Sequence, residues 1–429
     1  MKQFYSNMLK ATFVAAGFVL TSAQYSNGYI VSNEGNYGSP TSEISYIDAN
    51  NNVTNNVYGL ANNGEPLGDI LQSIYFNGDK SYLVINNSNK VVVANRSSFV
   101  KSAVITSNVV QPRYTTIANG KIYTSNWGTS ATQYVSVHNA ATLAYITSIP
   151  LNADPEEIIT VNGKVYVNKS SYRAGNSIEV IDPATDTIIK TITLTDGLQS
   201  LTVSGNDIFA LCTGSTGSTV YRISTATDAV TGSVFNASVV PPSSYDALKF
   251  TSDGNQLFIA GSTSVYSLNT DLASFSSTPI FTTPASGTYG DFYGFATIDG
   301  KIFQGNANGF TANSTVKVYN QTGTLLNSFT TTIGANNVYK NVYSSGVLAV
   351  AENRQSKGKD VSIYPNPVSD ILYVKNADAS QYTISDSSGR ILKSGVYQNG
   401  IIVSDLQKGT YLIHISDKNS QKTEKFIIK

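Results

Sequence analysis

Short apolar runs alternate with polar turns along most of the chain, and within the runs the apolar positions repeat every second residue, the period of a half-buried strand. One stretch, "VNGKVYVNKSSYRAGNSIEVIDPATDTIIKTITL" (161–194), holds a whole unit of the pattern. An Asn-Gly separates two strand-like runs, a polar insert follows, then a third run, an Asp-Pro turn and a fourth. Close variants occur upstream as "IANGKIYTSNW" and downstream as "TIDGKIFQGNANG". Asn-Gly and Asp-Gly favour two-residue hairpins because both central residues must reach positive φ. In "DPATD", Pro183 presets φ for its turn and Asp182 caps its own backbone.

The turn glycines Gly78, Gly120, Gly163, Gly205, Gly254 and Gly300 are spaced by 42, 43, 42, 49 and 46 residues. Four short strands repeating at a period in the forties predict propeller blades. Six units are complete. The seventh is shared: "GYIVSNEGNYGSPTSEISYIDANNNV" (28–53) starts at a second strand and "NVYKNVYSSG" (337–346) supplies a first strand, closing the ring by backbone hydrogen bonds. "GVLAVAEN" (346–353) competes for the place of that second strand, which leaves eight blades as the alternative.

The ends read differently. Lys2 and Lys10, the apolar "ATFVAAGFVL" and "TSA" before Gln24 predict a cleaved export signal over 1–23, too short to span a bilayer. The propeller is expected over 24–352 and a polar linker over 353–360, within "AENRQSKGKD". Residues 361–429 predict a small Ig-like β-sandwich. The expected class is therefore all-β, with a seven-bladed β-propeller followed by that sandwich.

Three resemblances accompany these patterns. "GKVYVNKSSYRAGNSIEVIDPATDTIIKTITL" resembles the repeat of YVTN/YncE-like β-propellers over roughly residues 28–352. In the tail, "YPNP" (364–367), "DSSGR" (386–390), "KGTYLI" (408–413) and the terminal "KFIIK" (425–429) resemble, in order, the C-terminal sorting domain of type IX secretion in Bacteroidetes. That likeness implies the type IX machinery as a partner, a secreted or cell-surface location, and removal of the tail after export. The opening "NEGNYG" with YVTN-like blades is similar to surface propellers of gut Bacteroidetes that capture cobalamin, which implies a corrinoid as a ligand and not as a resident cofactor. Those relatives are lipid-anchored, and no Cys stands near the predicted cleavage site here.

Charge and chemistry narrow the function less. Lys+Arg and Asp+Glu are both 28, and charged residues make up 13% of the chain, so the basic face that a nucleic-acid partner needs is not expected. No stretch of the mature chain is predicted to cross a membrane. The single Cys212 allows no internal disulfide and reads as a buried strand residue. His138 and His414 fall in different domains, so a histidine metal cluster or a Ser-His-Asp triad is not expected. "ADPEEI" offers Asp154, Glu156 and Glu157 either as an acid/base pair for glycoside or lactone hydrolysis or, the favoured reading, as a solvated acidic loop. "TSDGNQLF" resembles the Asp-box of sialidases without its terminal Trp, and a plain hairpin explains it.

What remains is a binding face. Loops joining second to third strands, and loops joining consecutive blades, gather at one end of a propeller's channel. They carry Glu34, Asn36, Tyr37, Arg113, Tyr114, Trp127, Tyr172, Arg173, Tyr245, Tyr289, Asp291 and Tyr293 as candidate ligand contacts, with Phe292 and Phe310 among further aromatics. Tyr and Trp offer large contact area with a polar tip, which suits sugars or a planar cofactor. The expectation is a non-catalytic binder of a corrinoid-like molecule or a glycan, with a protein-interaction or adhesion platform as the alternative.

Overall fold

The structure, a computed structural model, describes residues 25–129, 132–170, 175–195, 197–241, 248–286, 290–343, 362–375, 381–386, 391–416 and 421–429. The predicted signal, the linker and "GVLAVAEN" lie outside them, as do Tyr172, Arg173, Tyr245 and Tyr289. The chain divides into two compact units, Met1–Ser345 and Gly346–Lys429.

Among the described residues the first unit holds seven four-stranded antiparallel sheets. Sheet 1 joins Gly28–Asn33, Glu43–Asp48 and Val53–Thr54 to Ala335–Asn341, which comes from the far end of the unit. The other six are simple meanders. They begin with the strands Leu71–Asn77 (sheet 2), Pro112–Ala118 (sheet 3), Pro155–Val161 (sheet 4), Gly197–Ser204 (sheet 5), Lys249–Asp253 (sheet 6) and Gly294–Ile298 (sheet 7). These first strands touch one another in succession, and that of sheet 7 touches Ala335–Asn341, so the contacts return to their starting point. Ile30 pairs with Tyr339 and Val31 with Val338 in the closing ladder.

Packing explains why each sheet stands where it does. One apolar cluster fills each interface between neighbours: Leu71, Leu83 and Val92 pack with Ile30 and Ile44 between sheets 2 and 1. Val165, Val167 and Ile181 meet Val135 and Val137 between sheets 4 and 3, and Phe303 and Val316 meet Val31 and Val338 where sheet 7 closes on sheet 1. A sheet covered on both faces reads as a continuous buried run, as in Lys164–Lys169, where every residue after the first is buried. The fourth strands are outermost and exposed, as in Thr187–Thr193.

The recurring phrase has a physical basis. All six turn glycines adopt positive φ, from 56° at Gly78 to 74° at Gly163. The Lys-x-Tyr that follows two of them reaches the next sheet. Lys121 Nζ lies 2.6 Å from Asp186 Oδ2 while the buried Tyr123 hydroxyl donates to the same carboxylate. One sheet on, Lys164 and Tyr166 hold Asp228 at 2.5 and 2.6 Å. Burial and the adjacent carboxylate push both phenols above their ordinary range.

The second unit has a three-stranded sheet (Ser362–Tyr364, Ile371–Lys375, Ile401–Ile402) and a four-stranded one (Ile391–Val396, Gln381–Asp386, Gly409–Ser416, Gln421–Ile428). Both contribute to one core that includes Leu372, Val374, Ile401, Ile384, Ile413 and Phe426. The Asn of "YPNP" latches onto the terminal strand: Asn366 Nδ2 donates to the Lys425 carbonyl at 2.9 Å, and Oδ1 accepts from the Ile427 amide at 3.0 Å.

Candidate functional site

The innermost strands are irregular at one shared level. In sheet 2, Leu71 pairs with Ile85 and Ser73 with Val84, which skips Gln72. The same kind of break leaves out Arg113 and Tyr114 in sheet 3, Glu156 and Glu157 in sheet 4, Gln199 in sheet 5, and Asn336 in sheet 1. A bulge re-aims the side chain it carries and frees its backbone from the ladder. The skipped residues are therefore polar ones set at a common end of the axis. Lys249 opens the first strand of sheet 6 and Tyr293 immediately precedes that of sheet 7.

The freed backbone groups are taken up by neighbouring sheets, as buried polar groups require. Asn336 Nδ2 donates to the Leu71 and Gln72 carbonyls, both at 3.0 Å. Ser73 Oγ donates to the Arg113 carbonyl at 2.7 Å, and Ser125 Oγ to that of Glu156 at 2.7 Å. Ser200 Oγ closes this part of the series on Glu157 Oε1 at 2.7 Å. The bulges thus form a hydrogen-bonded collar running from sheet 1 to sheet 5.

Inside the collar the charges interlock. Arg113 Nε lies 3.0 Å from Glu156 Oε2, its Nη1 donates to Gln72 Oε1, and its guanidinium carbon stands 4.0 Å from the centroid of the Trp127 ring. The Trp127 side chain also acts to lower the Glu156 carboxyl against the pull of burial. Glu34, 6% exposed, accepts from the Tyr293 hydroxyl at 2.5 Å and from Asn336 Nδ2 at 2.8 Å. Glu157 accepts from Asn168 Nδ2 at 2.5 Å as well as from Ser200. Lys249 stands with Nζ 5.2 Å from the Tyr293 ring centroid and feels Glu34, Glu157 and Arg113. Burial raises the Glu34 and Glu156 carboxyls, Tyr293 and Arg113 respectively pulling back. Glu157 is pushed up to about 7 by burial and then by Glu156. Desolvation lowers the Lys249 ammonium. Beside the collar a cavity of about 350 Å³ is lined by Tyr75, Tyr114, Thr115, Ile158, Ile159 and Val203, among others from the inner strands of sheets 2 to 5.

The structure sorts the sequence candidates. Glu34, Arg113, Tyr114, Trp127 and Tyr293 come together at the collar. Arg113 and Tyr114 reach it from a strand bulge, not from the loop that the sequence suggested. Asn36 bonds outward, its Nδ2 to the Phe310 carbonyl at 3.1 Å, and Tyr37 is 82% exposed. Asp291 accepts from Asn306 Nδ2 at 2.8 Å and from the Ser286 amide. Phe292 belongs to the core between sheets 6 and 7. The favoured reading of "ADPEEI" as a solvated loop is overturned: Asp154 is fully buried, and Glu156 and Glu157 are tied into the network. Gln72, Gln199, Lys249 and Asn336 escaped sequence reasoning, since a lone polar residue at the start of a strand carries no motif.

Two solved structures share this fold. A quinonprotein alcohol dehydrogenase-like protein from Bacteroides thetaiotaomicron VPI-5482 matches with a TM-score of 0.56 at 14% identity, over 72% of this chain and 76% of its own. A functionally unknown protein from Desulfotomaculum acetoxidans DSM 771 matches with a TM-score of 0.53 at 15% identity, over 73% of this chain and 98% of its own. At such identities the likeness is one of fold, a propeller-like array of four-stranded sheets. No curated protein sequence matches the chain. Residues 362–429 match the secretion system C-terminal sorting domain, which marks the chain for type IX export to the cell surface or beyond. Residues 27–327 match the model of a domain of unknown function, DUF5074, and the chain belongs to that family.

Proposed function

We propose that the first unit is a closed seven-bladed propeller of the YVTN/YncE-like kind that binds a ligand at the collar end of its axis without transforming it. The observation that carries this reading is the shared bulge level, which converts five structural strands into suppliers of converging polar and aromatic side chains. Preformed concave sites with a few fixed polar anchors are the usual way to hold a small ligand. Export places such a site where extracellular ligands are met. A corrinoid-like molecule or a glycan is the ligand class that the aromatics suit. Glu156 is committed to Arg113, so the reading assigns no catalytic carboxylate pair. The test is calorimetry of the full-length chain against cobalamin, haem and a glycan panel. Binding that weakens in Trp127→Ala supports the collar as the site; binding unchanged in that variant removes it.

The second reading is a protein-interaction platform, favoured by the exposed Tyr37 on the loop Glu34–Ser42. Pull-down by the wild type that is lost in Tyr37→Ala, with the small-ligand panel silent, would select it.

A further inference from the structure

Resting on the collar as the binding site, we propose that it also takes a ligand of a further class, a positively charged, donor-rich organic amine with an apolar body, whose ammonium group docks against Glu157.

Glu34, Glu156 and Glu157 share the collar with Arg113 and Lys249 among the described residues, and Asp154 acts on Glu156 from just outside it. Arg113 is already paired with Glu156. Lys249 has no carboxylate within ion-pair distance among the described residues and acts on Glu34 and Glu157 together from further off. Among the described residues Glu157 takes two neutral side-chain donors, Asn168 and Ser200, and has no cation within ion-pair distance. With Glu157 ionised, a phosphate, sulfate or carboxylate would enter a site that already holds surplus negative charge.

The second observation is independent of charge. The Asn168 side chain is fully buried, its Nδ2 is spent on Glu157, and its Oδ1 is buried with no hydrogen-bond partner among the described residues. A buried orphan acceptor calls for a donor. Next to Glu157, an ammonium supplies both the missing donor and the missing charge, and a charge-assisted bond to a carboxylate is among the stronger ones available.

The third is shape. Ile158, which follows Glu157, lines the 350 Å³ cavity, as do Tyr114 from the adjacent bulge and Val203 from the strand that carries Ser200. The wall there is isoleucine, valine, tyrosine and threonine with one serine, Ser73. Two of its threonines satisfy each other's sheets, Thr116 to Thr160 at 2.9 Å. Such a wall accepts an alkyl or aryl body and asks for few further hydrogen bonds.

Calorimetry of the full-length protein with three isosteric probes, n-hexylamine, n-hexanol and n-hexanoate, at a pH where Glu157 is ionised, decides it. The amine is expected to saturate one site while alcohol and acid do not. Glu157→Gln should weaken the amine by at least about tenfold, and Ser200→Ala, which keeps the carboxylate, should weaken it less. Hexanol or hexanoate binding as tightly as the amine would overturn the assignment. So would amine binding unchanged in a Glu157→Gln protein that melts like the wild type. If no amine binds but a member of the cobalamin, haem or glycan panel does, and Trp127→Ala weakens it, the amine assignment falls and the collar stands. Silence from both sets removes both.

Discussion

Arg113 lies face-on to Trp127 at 4.0 Å while its Nε holds Glu156 at 3.0 Å, so one guanidinium joins an aromatic plane to a buried carboxylate from the next sheet. Both partners of the ion pair are mostly shielded from water, with side chains 15% and 13% exposed. Removing one partner of such a pair leaves the other buried and uncompensated. Arg113→Met is expected to cost about 3–5 kcal/mol. The double variant Arg113→Met/Glu156→Met should recover most of it, read as urea midpoints. A double variant no more stable than the single would show that the pair is not an electrostatic unit.

Glu157 sets a pH dependence. Its folded value of about 7 exceeds the ordinary 4.5, so the folded state binds the extra proton. The carboxyl therefore favours folding fully below about pH 4.5, and that contribution is lost as pH rises through 7. The described groups that face it are Glu156 on its own strand, Tyr114 from sheet 3, Ser200 from sheet 5, Lys249 from sheet 6 and Asn168 beside it. Wild-type protein should melt lower at pH 8 than at pH 5.5. Glu157→Gln should flatten that slope and gain up to about 3 kcal/mol at pH 8. An identical slope in the variant would assign the dependence elsewhere.

Asn336 donates to Glu34 Oε1 and to the Leu71 and Gln72 carbonyls. Asn336→Ala strands these acceptors at a cost of about 1–3 kcal/mol. Asn336→Asp should be worse at pH 7, since it sets a second carboxylate against Glu34, and the gap between the two variants should narrow in acid. Chemical denaturation at the two pH values measures it.

The clasp on Asp228 is partly exposed, its Lys164 side chain at 26%, so its Coulomb share is screened. The buried Tyr166 hydroxyl carries more. Asp228→Ala is expected to cost about 1–3 kcal/mol, and Lys164→Met clearly less. Thermal melts of the two variants separate the contributions, and equal losses would contradict the split.

In the tail, Asn366→Ala removes two bonds to the final strand. The site is exposed, so the stability change should stay near 1 kcal/mol. Hydrogen exchange at the Ile427 amide should nevertheless accelerate strongly. An amide as protected as in the wild type would mean that strand pairing alone holds the end.

Much of this architecture was legible because hairpin chemistry is local. Asn-Gly and Asp-Gly report positive φ wherever they occur, and the period of Gly78 to Gly300 marked a series of four-stranded antiparallel sheets. The strand pairing of Ala335–Asn341 with Gly28–Asn33 was likewise expected from the incomplete ends. The collar was only half legible. A bulge changes the phase of an alternating strand without changing its composition, so Arg113 and Tyr114 looked like loop residues and Glu156 and Glu157 like a solvated turn. Lys249 drew no notice at all because its partners come from other sheets. Glu34 was singled out for its loop position, yet its burial depends on Asn336, some three hundred residues away.

The join between Gly28–Asn33 and Ala335–Asn341 also imposes an order of events. The strand near the start of the unit has no partner on its channel side until almost the whole unit has been made. Bringing such distant segments together costs about 5 kcal/mol of loop entropy, which only the assembled intervening sheets can defray. A nascent chain therefore keeps one sticky margin until its last repeat emerges, and a carrier that delays folding before export would have that margin to hold.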